Sequence, residues 1–486
     1  MPAETTSRVR IVNSRDVRPD REFVLYWMIA ARRPSSNFAL DRAIEWARDL
    51  KQPLVIFEPL RVDYPWASER LHRFVIDGMA DNAKILEETP ALYYPYVEPI
   101  PGAGRGLLAA LSSLASVVIT DDFPCFFLPR MVEAAARRID VSMEAVDSNG
   151  MLPLALADRA YSAASHFRRH MQKSLPGQLQ TVPTERPFFR LRLPRLTQLP
   201  RAVSRRWPQA GDDLLLGDTR ALARLPIDHA VKPVSTRGGP TSGQRAMHAF
   251  VQERLDTYHE AHHHPDSDGT SRLSPYLHFG HVSAHEVFTA VMRHEHWSLR
   301  CLAPKATGAR EGWWGVGKGA EAFLDQLVVW RELAYNTCVK HPRNYNRYSS
   351  LPAWARDTLR THAGDARPHR YTKRVFEQAT THDALWNAAQ RQLLEEGWVH
   401  NYMRMLWGKK ILEWSRTPQE ALRIMVAIMD RWSLDGRDPN SYAGYFWILG
   451  RYDRPWPERP IYGKVRSMSS ERTAEKVRVE RYVGDG

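Results

Sequence analysis

The 486-residue chain has only three cysteines, Cys125, Cys301 and Cys338, and they stand far apart. They form no CxxC and no metal-ligand spacing, which argues against a disulfide framework or an iron–sulfur cluster. Long apolar runs are also missing. The nearest candidate, residues 107–120, is short and broken by Ser112, Ser113 and Ser116, so no membrane span is expected. The opening MPAETTSRVRIVNSRD has no apolar signal core and reads as a flexible tail (1–21) on a cytoplasmic protein. No GxGxxG follows the first apolar run, so the dinucleotide fingerprint is absent. Acid is in short supply, with 55 Asp+Glu against 68 Lys+Arg and a net charge of +13. That balance implies a polyanionic partner, although a soluble basic enzyme shares it. Sixteen tryptophans tilt it toward nucleic acid, because bases stack on aromatic rings.

Residues 22–150 alternate between strand and helix patterns. Apolar runs at 23–28 (FVLYWM), 54–57 (LVIF), 117–120 (VVIT) and 141–146 are separated by helical patterns at 37–50, 68–86 and 131–138. This order predicts a doubly wound parallel sheet in an α/β domain. Residues 151–239 read as a connector: seven arginines and several prolines lie between Arg186 and Arg206, with no acid among them. An extended, solvated segment is expected there rather than a dedicated DNA-contact strand. From 240 to 468 apolar residues recur at helical spacing, which predicts an all-α domain. Residues 301–319, rich in Gly and Trp, read as a surface loop, and 469–486 as a charged, partly mobile tail.

Three stretches carry chemistry. LWNAAQRQLLEEGWVHNYMRMLWGKKILEW (385–414) holds Trp386, Trp407 and Trp414. The last two are seven residues apart, roughly 10 Å along one helix face. That suits either a relay of redox-active indoles or a buried aromatic seam. TSRLSPYLHFG (270–280) combines hydroxyls, an arginine and a proline. With Ser274 as N-cap and Pro275 at the first helical position, it forms a phosphate cradle or an ordinary capped turn. DGRDPNSY (435–442) joins two carboxylates, an arginine and turn residues. Its Asp435 can pair with Arg404 in a buried bidentate contact, or the segment is a surface turn.

Together with FLDQLVVWREL (323–333), THDALWNAAQ (381–390), HNYMRMLWGKKILEW (400–414), LDGRDPNSYAG (434–444) and DRPWPERPIYGKVR (453–466), these segments resemble the photolyase/cryptochrome family, specifically its class II branch. The resemblance runs in order over about residues 22–468. It implies an N-terminal α/β antenna domain and a C-terminal all-helical domain holding a U-shaped FAD. Tyr258, Thr270, Ser271, Arg272, Leu273 and Ser274 match positions that bind the FAD phosphates. Asn401, Arg404 and Asp435 match flavin-facing positions, the last two as an ion pair beside the isoalloxazine. Trp386, Trp407 and Trp414 match the electron-transfer tryptophans, with Trp407 expected in the middle. Trp330, Met405 and Trp447 match the cavity for a flipped-out pyrimidine dimer, where stacking recovers the cost of unstacking.

Three positions depart from the family pattern. The asparagine expected opposite flavin N5 is Met429, which cannot donate a hydrogen bond. The acid expected four residues before Trp330 is Gln326, with Asp325 adjacent so that a shifted register is open. An Arg-Asn pair that supports lesion and DNA aligns with His262 and His263, in a run of three histidines with His264. These are expected to titrate near neutrality as proton donors, or to lie in a solvent-facing loop; a zinc site ranks last, and no metal is expected.

The implied activity is light-driven splitting of cyclobutane pyrimidine dimers in UV-damaged DNA by a monomeric deoxyribodipyrimidine photo-lyase. The alternatives are a cryptochrome-like blue-light photoreceptor and repair of (6-4) photoproducts. A second antenna chromophore (a deazaflavin, a folate or a flavin) is left open by the N-terminal sequence.

Overall fold

A computed structural model describes residues 5–484. The chain divides into two compact units. The first comprises 1–158, 174–248 and 273–290, and the second 159–173, 249–272 and 291–486. The expected connector is therefore shared out: 174–239 belongs to the α/β unit and 159–173 to the helical one.

The α/β unit is built on a six-stranded sheet in the order β1-β6-β5-β2-β3-β4. The strands are β1 (Val9–Ile11), β2 (Phe23–Trp27), β3 (Leu54–Leu60), β4 (Leu92–Val97), β5 (Ala115–Asp121) and β6 (Met143–Val146). All neighbours run parallel except β1, which pairs antiparallel with β6. β2 and β5 are buried along their whole length, which explains their unbroken apolar runs. Helices Phe38–Leu50 and Glu69–Leu86 begin where Asn37 and Ser68 accept hydrogen bonds from first-turn N–H groups.

Two strands were not legible as periodic runs. β4 contains Pro95, tolerated because β4 is an edge strand. β1 lies in the expected N-terminal tail, and it corrects that expectation. Residues 9–11 are part of the sheet, and Arg8 is buried with its guanidinium donating to the carbonyls of Asp147, Gly150 and Met151. Residues 1–4 lie outside the described residues.

The arginine-rich segment is extended only in part: residues 191–200 lack regular structure, but 187–190 turn and 201–206 form a short α-helix, which corrects the expectation of an extended connector. Leu199, Val203 and Trp207 join the core, and Phe188, Leu191, Leu193 and Leu196 pack against it. All seven arginines between 186 and 206 are exposed.

The sheet's topological switch point lies between β2 and β5, where doubly wound proteins open a crevice. Here Asp121 closes it. One carboxylate oxygen accepts from the N–H groups of Ile29 (2.8 Å), Ala30 (2.7 Å) and Ala31 (3.0 Å), and the other from the Tyr26 hydroxyl (2.7 Å). Gly280 packs over the same turn in a left-handed conformation (φ 71°), and a Cβ there would overlap the Ala30 carbonyl.

The helical unit contains the helices Ala384–Glu396, Asn401–Trp414, Pro418–Trp432 and Pro439–Ile448, together with a π-helical turn at Asp325–Trp330. Residues 301–319 are largely irregular, but Trp313 and Trp314 are core residues whose N–H groups donate to Glu321. The C-terminal segment also departs from expectation. It forms helices Ser470–Lys476 and Glu480–Gly484 rather than a mobile tail. Residues 485 and 486 lie outside the described residues. Among the described residues no helix is long and apolar enough to cross a membrane.

Replacing Asp121 by alanine removes the acceptor of three backbone N–H groups and the strongest acceptor of the Tyr26 hydroxyl, which keeps its bond from Asn37. Asp121→Ala is expected to destabilise the protein by about 3–5 kcal/mol. Thermal and urea unfolding of the variant measure this; a near-wild-type midpoint would mean these amides have other acceptors.

Candidate functional site

DGRDPNSY is not a surface turn; residues 433–439 are buried. Its anchor is Asp430, near the end of helix Pro418–Trp432 and 1% exposed. The carboxylate accepts from the Arg437 N–H (3.0 Å) and from the hydroxyls of Tyr445 (3.0 Å) and Tyr442 (3.2 Å). Burial raises its pKa above the usual carboxylate value. The Arg437 guanidinium donates back to the carbonyls of Asp430, Ser433 and Leu434, with the residue held at φ 66°. Asp438 caps helix Pro439–Ile448 through the Asn440 N–H (2.8 Å), with Pro439 in its first turn.

This turn presents Asp435 to Arg404. One guanidinium nitrogen of Arg404 meets both carboxylate oxygens, at 2.9 and 3.1 Å, so the pair forms through a single nitrogen rather than a two-pronged fork. Ser433 Oγ donates to the same carboxylate at 2.6 Å. Arg404 Nε is buried with no protein partner.

The three tryptophans form a continuous set, but Trp386, not Trp407, is the middle ring. Trp386 stacks on Trp407 with centroids 6.5 Å apart and planes 7° from parallel. It meets Trp414 edge-on at 5.9 Å and 67°. The link between the two tryptophans of helix Asn401–Trp414 therefore runs through helix Ala384–Glu396. Each inner indole is oriented by its N–H: Trp386 donates to the Trp407 carbonyl (2.9 Å) and Trp407 to Gln390 Oε1 (2.8 Å). All three rings are buried. Beyond Trp414 come Tyr371 at 5.6 Å and the exposed His382 at 5.0 Å.

Gln326, Trp330, Met405 and Trp447 are all partly exposed, whereas Met429 is fully buried. Asp325 is not free to replace Gln326. It is buried in an ion pair with Arg168 (2.8 Å), and Arg310 lies 3.6 Å away. Gly408 lets helix Asn401–Trp414 come close to helix Pro439–Ile448, since a Cβ there would overlap Ile448 Cδ1.

The phosphate-cradle stretch divides between the units, with Thr270, Ser271 and Arg272 in the helical unit and Leu273 and Ser274 in the other. The N-cap is Leu273, one residue earlier than expected, and Ser274 opens the short helix Ser274–His278. Arg272, at φ 56°, pairs with Glu396 (2.6 Å) and covers the Trp398 ring at 3.9 Å. Thr270 Oγ1 is buried with no protein partner. Asn401 is exposed at the start of its helix.

The histidine run is not a uniform titrating loop. His262 is buried, stacks on Tyr258 (4.4 Å, 9°) and bonds through Nδ1 to the Tyr258 carbonyl. Burial lowers its pKa to about 4. His263 is exposed but also lowered, mainly by desolvation. His264 Nδ1 accepts from the Arg478 N–H (3.2 Å). Neither His262 nor His263 is set up to be protonated at neutral pH. His400, the N-cap of helix Asn401–Trp414, is lowered to about 3 by burial and by Arg272.

Over 98% of this chain and 97% of its own length, a deoxyribodipyrimidine photo-lyase from Methanothermobacter thermautotrophicus is 33% identical to it. The chain belongs to the photolyase/cryptochrome family. A photo-lyase from Potorous tridactylus is 31% identical over 95% of the chain and 81% of its own length. In structure the chain is similar to a class III photolyase from Agrobacterium tumefaciens, with a TM-score of 0.68 and 17% identity over 96% of this chain and 86% of that one. No protein-family model matches the chain. By its relatives it is an enzyme of the photolyase kind.

The family implies FAD, and the helical unit's residues fit it. Thr270 Oγ1, Arg404 Nε and His400 Nε2 are buried polar atoms with no protein partner. A phosphate-bearing ligand with a polar ring edge supplies such atoms with partners. The residues that hold this arrangement and escaped sequence reading are Asp430, Arg437, Arg168 and Lys409. Arg168 and Lys409 meet partners far away in sequence, Asp430 meets two tyrosines of the following helix, and Arg437 turns back on its own loop, a conformation that its sequence alone does not announce.

A histidine held neutral by burial takes up its proton in the unfolded chain first. His262 and His400 have folded values of about 4 and about 3, against an ordinary 6.5. Their contribution is complete above the ordinary value and is lost as pH falls below it. The thermal midpoint is expected to drop on acidification from pH about 6.5 to about 4, less steeply in His262→Gln. Melting curves at stepped pH check this; identical slopes would mean that His262 is protonated in the folded state.

Proposed function

We propose that this protein is a light-driven, FAD-dependent DNA photolyase of the class II kind that splits cyclobutane pyrimidine dimers. The observation that supports the reading is the partial exposure of Trp330, Met405 and Trp447 in the unit that buries Trp386, Trp407 and Trp414. Apolar and aromatic surface left open supports a pocket for a planar, extruded substrate. Bound FAD in its reduced form supplies one-electron donation on excitation.

The chain's own residues do the rest. Arg404 and Asp435 orient the cofactor's polar edge, and Thr270 and Arg272 hold its phosphate side. Gln326 offers an amide N–H to the dimer's carbonyls without adding a negative charge. Met429 is fully buried and offers no hydrogen-bond donor at a position where a donor is usual in this class. Trp407, Trp386 and Trp414 form a path by which reducing equivalents reach the cofactor, with Trp386 bridging two helices. The net charge of +13 gives salt-dependent, sequence-independent attraction to the DNA backbone.

Photoreduced protein incubated with duplexes carrying either a cyclobutane dimer or a (6-4) photoproduct is expected to remove the first, in light only. Photoreduction without loss of the dimer would overturn the proposal. Trp386→Phe, which breaks the relay at its bridge, is expected to slow photoreduction by an order of magnitude or more while leaving dark DNA binding intact. A variant that photoreduces at the wild-type rate would remove this relay from the mechanism.

A further inference from the structure

Lys409 follows Gly408 on helix Asn401–Trp414, and its side chain is completely buried. Its Nζ donates to the carbonyl of Ile448 at 2.6 Å and lies 5.0 Å from the centre of the Trp447 ring. Ile448 is the last residue of helix Pro439–Ile448, so the ammonium also sits at that helix's negative end. The Arg466 guanidinium approaches the same indole at 6.0 Å and the Trp456 ring at 4.9 Å.

Other charged and titratable groups surround this lysine without pairing with it. Asp453 attracts the ammonium and Arg466 repels it. The Tyr462 hydroxyl donates to the Lys409 carbonyl (3.0 Å) and meets Glu413 (3.1 Å), which pairs with Lys410 (3.0 Å). Among the described residues no carboxylate forms an ion pair with Lys409. Burial, only partly offset by Asp453, pushes its pKa down to about 7. For packing alone, a methionine would fill this place without the cost of desolvating a charge.

We propose that Lys409 is a positioning residue for Trp447: its ammonium anchors the indole and the adjoining carbonyl, and loss of its proton loosens the ring and weakens the hold on a flipped-out dimer. This rests on the reading of Trp447 as part of the dimer pocket. A neutral amine keeps a hydrogen bond to Ile448 but loses the cation–π attraction. Retention of the lesion is therefore stronger on the acid side of neutrality.

The sign for stability is opposite. The folded value lies below the ordinary 10.5, so Lys409 costs the fold nothing above that value and progressively more as pH falls toward about 7. Lys409→Met removes that cost and should fold.

The experiment uses the FAD-loaded protein with 5-fluorotryptophan, the Trp447 ¹⁹F signal being assigned with Trp447→Phe. Over pH about 6 to about 9 this signal is expected to titrate in the wild type and stay constant in Lys409→Met and Lys409→Arg. In parallel, dark binding to duplexes with and without a cyclobutane dimer is measured. The preference for the dimer is expected to fall about tenfold with rising pH in the wild type, to stay low in Lys409→Met and to stay high in Lys409→Arg. A Trp447 signal that titrates equally in Lys409→Met overturns the inference. So does a dimer preference with the same value and pH slope in wild type and Lys409→Met. If the wild type shows no dimer preference while its Trp447 signal titrates only with Lys409 present, the substrate reading fails and the anchoring of Trp447 by Lys409 stands.

Discussion

A buried carboxylate must be satisfied, and Asp430 is where the helical unit meets that demand. Its partners are a backbone N–H seven residues on and two tyrosine hydroxyls on the next helix. Arg437 closes the loop from the other side by filling three carbonyls at the end of helix Pro418–Trp432. With those bonds made, the turn has one conformation. Asp435 then faces Arg404, Asp438 starts the next helix, and Trp447 is delivered to Lys409. Each of these contacts is short-range, but all of them inherit their geometry from one carboxylate and one guanidinium in a dry interior, where polar groups left unpaired are costly.

Much of this was legible in the sequence. The unbroken apolar runs of β2 and β5 and the capped helices after Asn37 and Ser68 announced a parallel sheet, and the motifs announced the Arg404–Asp435 pair. What was not legible has common physical causes. β1 is three residues long and β4 contains a proline, so neither presents a period. The histidine run looked titratable because composition reports intrinsic chemistry, whereas burial against Tyr258 decides the outcome for His262. Spacing along one helix puts Trp407 in the middle of the set but says nothing about a ring inserted from another helix. Asp325 is next to Gln326 in sequence, but Arg168, far away in the chain, holds it in an ion pair.

The tryptophan set owes its geometry to polar bonds as much as to aromatic packing. Two indole N–H groups that burial would otherwise leave unsatisfied are given acceptors, a backbone carbonyl and Gln390, and the same bonds fix the angle of each ring. The helix carrying Trp386 is capped by Asp383, whose other carboxylate oxygen accepts from Ser470 at 2.5 Å. Ring orientation in the middle of the unit is thus tied to the C-terminal segment.

That segment also reaches the loop that carries the histidines. The N–H groups of Arg478, Arg481 and Tyr482 donate to His264 and Asp266, across 214 to 216 residues of chain, and Tyr482 reaches Gln392. Such distant pairing has a consequence in time. A chain made from its N-terminus cannot complete this loop until residue 482 has been synthesised, so the region around Tyr258 and Thr270 is among the last parts of the helical unit to set. Until then the buried polar atoms around Thr270 lack the packing that later encloses them, and anything that binds there meets a site still open.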